Sequence, residues 1–270
     1  MSLFFLTGAT GFVGSNLARL LTDQGEELRC LVRPGNPATN LLGVPFERIE
    51  GSLEDEDILR QAMEGVDVVI HAAALVSFDR RDAALLHEVN TLGTARVARL
   101  AREQGVSRLV HISSVSAVGY SARPEVLDET TPYNFAPLRI PYCDTKRAAE
   151  EAVLTEVQKG LDAVIVNPAS ILGPGDRRKT EGSLLSAVAQ RKIPFLPPGG
   201  VNMVDIRDVL SGILLALEHG NTGERYILGG ENLSGPDLIR RIARIAQVAP
   251  PKHRLPRPLA QTYSLLASLW

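Results

Sequence analysis

Short apolar runs alternate with amphipathic stretches over the first two-thirds of the chain. The apolar runs predict strands at 3–6, 28–32, 46–50, 66–71, 107–113 and 161–167. Between them, the periodicity predicts helices at 13–24, 53–63, 83–104 and 142–159. Strands that are apolar at nearly every position are typical of parallel sheets covered on both faces. The alternation therefore predicts the α/β class and a doubly wound parallel sheet.

The pattern changes after residue 167, where proline and glycine cluster at 173–175 and 194–200. Helices are predicted there at 208–219 and 236–247, with a strand at 224–228. We therefore predict a sheet domain over 1–167 and a smaller C-terminal lobe over 168–270, some segments of which return to the sheet domain. Because open α/β sheets bind ligands at the carboxyl ends of their strands, the lobe is predicted to hold the substrate there.

A glycine-rich turn connects the first predicted strand to the first predicted helix. Gly8 permits a tight turn, Gly11 lets backbone approach a pyrophosphate, and Gly14 lets the helix pack closely on the sheet. The helix N-terminus would then present peptide N–H groups to the anion. This placement predicts a dinucleotide-binding Rossmann domain, whose turn includes these glycines and Thr10, Phe12 and Val13.

The end of the second predicted strand carries a cation where NAD-binding chains usually carry a carboxylate. An acidic residue there would bond the ribose 2′-hydroxyl of NAD, whereas an arginine suits the 2′-phosphate of NADP. The chain has Arg33 at this point. We therefore predict NADP as the cofactor, with NAD as the alternative if Arg33 is only solvated or stacks on adenine.

A tyrosine and a lysine lie one turn apart on the predicted helix 142–159. Spacing i, i+4 places Tyr142 and Lys146 on one face. A nearby ammonium would lower the pKa of the tyrosine and make it a better acid–base group. Ser113 and Ser114 lie at the end of the fifth predicted strand, and a hydroxyl there would bond a substrate oxygen. The alternatives are a surface helix face and ordinary capping at the end of a strand.

Composition limits the remaining classes of function. The 270 residues have a net charge of −2, without the basic excess of dedicated nucleic-acid binders. Two cysteines are too few for a disulfide framework, and no His/Cys cluster has the spacing of metal ligands. The charge-free tail 259–270 is too short to span a bilayer. We predict a cytoplasmic protein with a small-molecule substrate, no metal, no nucleic-acid partner and no integral membrane segment.

Together these motifs resemble the extended short-chain dehydrogenase/reductase superfamily. Within it the chain looks like the dihydroflavonol-4-reductase-like group of NAD-dependent epimerase/dehydratase proteins. A later segment, 225–232, is similar to bacterial members labelled hopanoid-associated sugar epimerases. The resemblance covers nearly the whole chain and is carried by 7–14, 71–73, 90–94, 113–114, Tyr142-x-x-x-Lys146 and 167–168.

The resemblance implies a role for each matching residue. Tyr142 matches the catalytic acid–base and Lys146 its partner on the nicotinamide ribose. Ser114 matches the catalytic serine by its spacing to Gly119, as in UDP-galactose 4-epimerase, and Ser113 stays an alternative. Other matches are Asn90 as a structural asparagine, the cofactor-lining Ala72, Ala73 and Ala74, the nicotinamide-contacting Pro168 and Ser170, and Ser52 and Leu53, where the family has Asp-Leu against adenine.

Three functions are consistent with these residues. The first is an NADP(H)-dependent reductase that reduces a carbonyl, or oxidises the alcohol, with a Ser-Tyr-Lys site. The second is a nucleotide-sugar epimerase that keeps NAD tightly bound without net redox. The third is a non-catalytic cofactor-sensing protein, although such members typically lose the tyrosine or the lysine. Superfamily members often dimerise through the helices that carry Asn90 and Tyr142, so a homodimer is also implied.

Overall fold

Two β-sheets organise the chain. The computed structural model describes residues 1–121, 123, 125–176 and 184–256. Its strands are β1 (Leu3–Thr7), β2 (Glu27–Val32), β3 (Glu47–Glu50), β4 (Val68–His71), β5 (Arg108–Ile112), β6 (Ala163–Pro168), β7 (Ser170–Leu172), β8 (Gly200–Asp205), β9 (Arg225–Leu228) and β10 (Glu231–Ser234). A seven-stranded parallel sheet has the order β3-β2-β1-β4-β5-β6-β9, and a three-stranded sheet has the order β10-β8-β7.

Helices connect and cover these strands. They are α1 (Phe12–Asp23), α2 (Glu56–Ala62), α3 (Ala83–Leu86), α4 (Gly93–Glu103), α5 (Pro141–Val157), α6 (Leu184–Ala189), α7 (Ile206–His219) and α8 (Gly235–Ile245). A π-helical segment, His87–Leu92, joins α3 to α4. Helices separate successive strands from β1 to β6, except between β2 and β3, which confirms the predicted α/β class and the doubly wound sheet.

The strand order reverses next to β1. From β1 the chain proceeds outward to β2 and β3, then returns to β4 on the other side of β1 and continues to β5 and β6. The carboxyl ends of β1 and β4 therefore flank a topological switch point, where ligands of open α/β sheets bind. The turn after β1 and the loop after β4 both start at this edge, called here the carboxyl edge.

Continuous apolar runs became buried strands, as the sequence predicted. Every residue of β6 is buried, and so are the last four residues of β1 and β5. Their side chains join a core that includes Phe5, Leu100, Val153 and Ile165, contributed by β1, α4, α5 and β6. Covering both faces removes the apolar surface of these strands from water, which is the main favourable contribution to folding.

Some predicted boundaries were wrong, for local physical reasons. The predicted helix 83–104 is interrupted by the π-helical segment, where the Asn90 side chain bonds backbone outside the helix. The predicted helix 53–63 begins instead at Glu56, because the Asp55 carboxylate accepts the Ile58 N–H at 3.2 Å and caps the helix there. The three-stranded sheet was missed, since its short strands lie among proline and glycine.

The chain divides into two compact units. The larger unit comprises 1–169 and 206–228 and contains the seven-stranded sheet. The smaller unit comprises the described residues of 170–205 and 229–270 and contains the three-stranded sheet. Its own core includes Val188 from α6, Leu233 from β10 and Ile239 from α8. All side chains discussed below as a site belong to the larger unit, except Ser170.

Candidate active site

The glycine turn packs directly on the backbone that follows β4. Gly8 has φ +72°, and a Cβ there would lie 2.5 Å from Ala72 C and Ala73 N. A Cβ at Gly14 would lie 2.2 Å from Gly8 O, so the start of α1 also touches the turn. Neither position admits a side chain without moving backbone atoms. The predicted roles of Gly8 in a tight turn and of Gly14 in close packing match this geometry.

The N-terminus of α1 is suited to an anion. Gly11 is the N-cap, no side chain caps the helix there, and its first turn contains no acidic residue. The peptide N–H groups and the positive end of the helix dipole therefore remain available to a negatively charged ligand. Thr10 stands beside this point, and its carbonyl accepts the Asn40 side-chain amide at 2.8 Å. The turn thus fits the pyrophosphate of a dinucleotide.

A directed chain of hydrogen bonds fixes the loop after β4. Thr94 Oγ1 donates to Asn90 O at 2.6 Å, so His71 Nε2–H donates to Thr94 Oγ1 at 2.9 Å. His71 Nδ1 then accepts from Thr7 Oγ1 at 2.7 Å, which in turn accepts the Ala73 N–H at 3.3 Å. Burial, reinforced by the charge of Lys146, lowers the pKa of His71 to about 3. The imidazole is therefore neutral and holds backbone beside the glycine turn.

Asn90 fixes the same loop from the π-helical segment. Its Oδ1 accepts the Leu75 N–H at 2.8 Å and its Nδ2 donates to Leu75 O at 3.0 Å. The same Nδ2 donates to Thr145 Oγ1 at 3.3 Å, which ties the loop to α5. The buried amide therefore has partners on two elements. This arrangement matches the structural role that the resemblance implies for Asn90.

Tyr142 and Lys146 are buried on α5 beside the end of β5. Lys146 Nζ donates to Ile112 O at 3.0 Å, and Lys146 is only 2% exposed. Burial lowers the pKa of Lys146 to about 8, and the charge of Glu150 opposes that shift. Burial raises the pKa of Tyr142, and a hydrogen bond with Ser114 opposes that increase. The phenol is therefore protonated at neutral pH.

Burial outweighs the other influences on the pKa of Tyr142. We expected the ammonium to lower the pKa of the tyrosine, but the net shift is upward and Ser114 supplies the opposing contact. The first cause is burial of the phenol, and the Lys146 ammonium is hydrogen-bonded to the Ile112 carbonyl. A shared helix face gave the two side chains proximity without determining where each polar atom points.

The two serines after β5 have different partners. Ser113 Oγ donates to Glu150 Oε1 at 2.5 Å and is buried. Ser114 Oγ accepts the Ser116 N–H at 3.1 Å and hydrogen-bonds the Tyr142 side chain. Accepting that N–H leaves the Ser114 hydroxyl proton available for a second hydrogen bond. Ser114 and Tyr142 are thus linked to each other, with Lys146 one turn further along α5, while the Ser113 hydroxyl belongs to the network around Glu150.

An exposed aromatic ring borders this group. Phe78, in the loop after β4, is 68% exposed, and its ring lies 5.4 Å from that of Tyr142 at an interplanar angle of 62°. Edge-to-face contact of this kind is favourable between aromatic rings. The surface next to the Tyr142 phenol is therefore apolar on the side of Phe78.

The remaining predicted residues occupy varied positions. Arg33 is exposed directly after β2. Ser52 accepts the Glu54 N–H at 3.2 Å, and Leu53 packs where Gly93 leaves room for its side chain. The others are Phe12 and Val13 in the first turn of α1, Ala74 after β4, Pro168 at the end of β6, and Ser170 at the start of β7 in the smaller unit.

Sequence reasoning missed a buried polar cluster behind the site. Glu150, Asn167 and Arg225 meet there with Ser113. The sequence held one usable signal, because Glu150 follows Lys146 by four residues and therefore shares its face of α5. Within the described ranges, no group of three or more His, Cys, Asp or Glu side chains is arranged to hold a metal, and no helix is long and apolar enough to cross a membrane.

Known proteins share this fold. The model of the NAD dependent epimerase/dehydratase family matches residues 4–229. A relative from Synechocystis sp., named "Putative dihydroflavonol 4-reductase", is 38% identical over 97% of this chain and 77% of its own length. A solved nucleoside-diphosphate-sugar epimerase from Pseudomonas aeruginosa is 26% identical, with a TM-score of 0.85 over 99% of this chain and 85% of that one.

A third comparison includes a bound cofactor. The dTDP-glucose 4,6-dehydratase from Streptomyces venezuelae, solved with NAD, is 26% identical, with a TM-score of 0.81 over 92% of this chain and 82% of that one. The matches span almost all of the larger unit, including the glycine turn, β5 and α5. The chain therefore belongs to the NAD dependent epimerase/dehydratase family, within the extended short-chain dehydrogenases/reductases.

Proposed function

We propose that the chain is an NADP(H)-dependent carbonyl reductase in which Ser114, Tyr142 and Lys146 form the catalytic site. The observation that carries the proposal is the buried, protonated Tyr142 with the Ser114 hydroxyl bonded to it and Lys146 one turn away. A protonated phenol is the acid that reduction of a carbonyl requires. The chain would run the same chemistry in reverse when it oxidises the alcohol.

The cofactor would be held along the carboxyl edge. The pyrophosphate would lie at the N-terminus of α1, against the amides around Gly11. The backbone of Ala72 and Ala73, held by Thr7 and His71, would line it, and Lys146 would bond the nicotinamide ribose. When bound, the nicotinamide supplies the hydride that goes to the carbonyl carbon of the substrate.

The protein side chains handle the proton. The Ser114 hydroxyl would bond the substrate oxygen, and Tyr142 Oη would donate its proton to that oxygen as negative charge develops on it. The product is the alcohol, and the phenolate left on Tyr142 is stabilised by the Lys146 ammonium until a solvent proton replaces the one transferred. Burial of both groups strengthens this electrostatic stabilisation.

The apolar ring of Phe78 supports a carbonyl substrate with an apolar flank. A nucleotide sugar presents hydroxyls and phosphates, which gain no hydrogen bonds from an exposed phenyl ring. The relative named as a reductase agrees with this preference. The likeness to a nucleoside-diphosphate-sugar epimerase supports the second candidate, an epimerase that retains NAD and uses the same three residues.

Arg33 is our reason for proposing NADP over NAD. Its side chain is exposed after β2, and among the described residues no ion pair engages it. The nearby carboxylate of Glu50 lies 3.5 Å from Arg48 and accepts the Gly35 N–H, so its charge is already offset. The guanidinium of Arg33 is thus available to a 2′-phosphate.

Replacing Arg33 tests this cofactor preference. Arg33→Ser is expected to weaken NADPH binding by roughly tenfold to 100-fold, the range of a charge-assisted bond, and to leave NADH binding nearly unchanged. Fluorescence titration of both cofactors measures the effect. Arg60→Ser is the matched control, because Arg60 pairs with Glu103 near the amino end of β5 and carries the same charge. Equal weakening of NADPH and NADH by Arg33→Ser would contradict the NADP assignment.

The purified chain itself decides among the three functions. Nucleotide released on denaturation is identified by mass spectrometry, and the apoprotein is titrated with NADPH and NADH. It is then tested on apolar ketones, aldehydes and nucleotide sugars. We expect exchangeable NADPH and turnover of an apolar carbonyl. Retained NAD with interconversion of sugar epimers would establish the second candidate, and NADPH binding without any turnover would establish a non-catalytic role.

A further inference from the structure

A carboxylate lies buried on α5 one turn beyond Lys146. Glu150 is 1% exposed, and its Oε1 accepts from Ser113 Oγ and from Asn167 Nδ2, each at 2.5 Å. Its Oε2 lies 3.3 Å from Arg225 Nη1 and 3.9 Å from Arg147 Nη1. Two hydroxyl or amide donors and two guanidinium groups therefore surround it, as a buried negative charge requires.

The first connection from Glu150 to the site is electrostatic. Burial lowers the pKa of Lys146, and the Glu150 charge opposes this shift. Two histidines on β4 and β5, His71 and His111, have pKa values lowered by burial and by the charge of Lys146, so they carry no positive charge at neutral pH. Arg225 from β9 and Arg147 are cations and disfavour a further positive charge. Glu150 is thus the group here that favours the ammonium form of Lys146.

The second connection is mechanical and passes through Asn167. One proton of Asn167 Nδ2 goes to Glu150 and the other to Ser114 O, at 2.5 and 2.9 Å. Both partners are acceptors, so the amide has a single productive orientation. The backbone of Ser114 is therefore tied to the buried carboxylate, which restricts the positions that its hydroxyl can reach.

We propose that Glu150 is a positioning residue that keeps Lys146 charged and fixes Ser114 through Asn167. This inference rests on the proposed reductase function, since both residues act in it. Glu150 contacts neither substrate nor cofactor in this scheme. Its effect reaches the reaction through the two residues that do.

The same helix provides a matched control. Glu156 is also buried on α5, at 6% exposed, and also has two cationic partners. It accepts from Arg102 Nε at 2.7 Å and from Lys159 Nζ at 2.8 Å. These partners lie on α4 and at the end of α5, apart from Lys146 and Ser114. Removing the Glu156 charge tests the general cost of replacing a buried carboxylate and leaving its two cationic partners unpaired.

The experiment compares the wild type with Glu150→Gln and Glu156→Gln. Carbonyl reduction is measured as kcat/KM from pH 6 to 10, together with thermal unfolding. Without its anionic neighbour, Lys146 loses its proton at lower pH. We therefore expect the alkaline limb of the Glu150→Gln profile to move down by about one pH unit. Glu156→Gln is expected to lower the melting temperature and leave the alkaline limb at its wild-type pH. Glu150→Asp keeps the negative charge, so its alkaline limb is expected to lie close to that of the wild type.

Several results would overturn the proposal. If the alkaline limb of Glu150→Gln lies at the wild-type pH while its melting temperature is lowered, Glu150 has only a structural role. If Glu150→Gln does not fold, Asn167→Ala tests the second connection, where a loss of about tenfold in kcat is expected and a wild-type kcat would refute it. If the wild type itself shows no turnover, the reductase proposal fails. The effect of Glu150 is then tested by measuring NADPH affinity as a function of pH. Identical pH dependence of that affinity in the wild type and in Glu150→Gln would refute the effect of Glu150 on Lys146.

Discussion

Tyr142→Phe is expected to lower kcat for carbonyl reduction at least about 100-fold, the usual weight of general acid catalysis. The ring keeps its contact with Phe78, so packing is preserved, but the proton that the proposal assigns to Tyr142 is gone. In the proposed site the cofactor is held by the turn at α1 and by Lys146, so NADPH affinity should stay within about twofold. Steady-state kinetics and fluorescence titration measure the two quantities separately.

A second tyrosine provides the control for this substitution. Tyr133 also contacts α5, where its hydroxyl donates to Asp144 Oδ1 at 2.5 Å, and burial and this bond raise its pKa. Tyr133→Phe removes the same atom from the same neighbourhood, yet it should change kcat less than about threefold, because it removes no group from the site. If Tyr142→Phe retains its turnover, another group must donate the proton, and the site as proposed is refuted.

Gly8→Ala is expected to eliminate measurable cofactor binding and to destabilise the fold. A methyl group there would meet the backbone of Ala72 and Ala73 at 2.5 Å, and backbone atoms cannot turn aside as a flexible side chain does. Alanine also disfavours the φ of +72°. Together, left-handed strain of about 1–2 kcal/mol and overpacking of about 1–3 kcal/mol give roughly 3 kcal/mol.

Gly25→Ala separates the two causes. Gly25 has φ +86° but a Cβ there would meet nothing within 4 Å, so only the left-handed strain applies. We expect it to lower the melting temperature by roughly 2–6 °C, against roughly 6–12 °C for Gly8→Ala. NADPH affinity should be unchanged in Gly25→Ala. Equal melting temperatures for the two variants, with normal NADPH binding by Gly8→Ala, would contradict the close packing of the turn on β4.

The sequence predicted features that local patterns determine. Continuous apolar runs identified the parallel strands. Glycine spacing identified the turn in which Gly8 packs on Ala72 and Gly14 packs on Gly8. Helical spacing predicted one face of α5 for Tyr142 and Lys146, and both residues are buried on that helix. These predictions succeed because period and spacing depend on neighbours in the chain, which a single sequence displays.

Other features depend on contacts between distant segments, which a single sequence does not display. Spacing placed Lys146 near Tyr142, but only the fold directs its ammonium to Ile112 O. The same holds for Glu150, whose partners Asn167 and Arg225 come from β6 and β9. The π-helical segment is another case, because Asn90 is stabilised there by Leu75, fifteen residues earlier. The direction in which a buried polar side chain points therefore depends on tertiary structure.

The discontinuity of the larger unit has a consequence for biosynthesis. A ribosome completes Glu150 and the whole of 170–205 before it makes Arg225, the β9 cation that faces this carboxylate. A buried charge without its partner is unfavourable, so a nascent chain that ends before β9 should not seat α5 firmly on the sheet. The glycine turn is made first, yet the nascent protein is expected to acquire its cofactor only after residue 228 has left the exit tunnel.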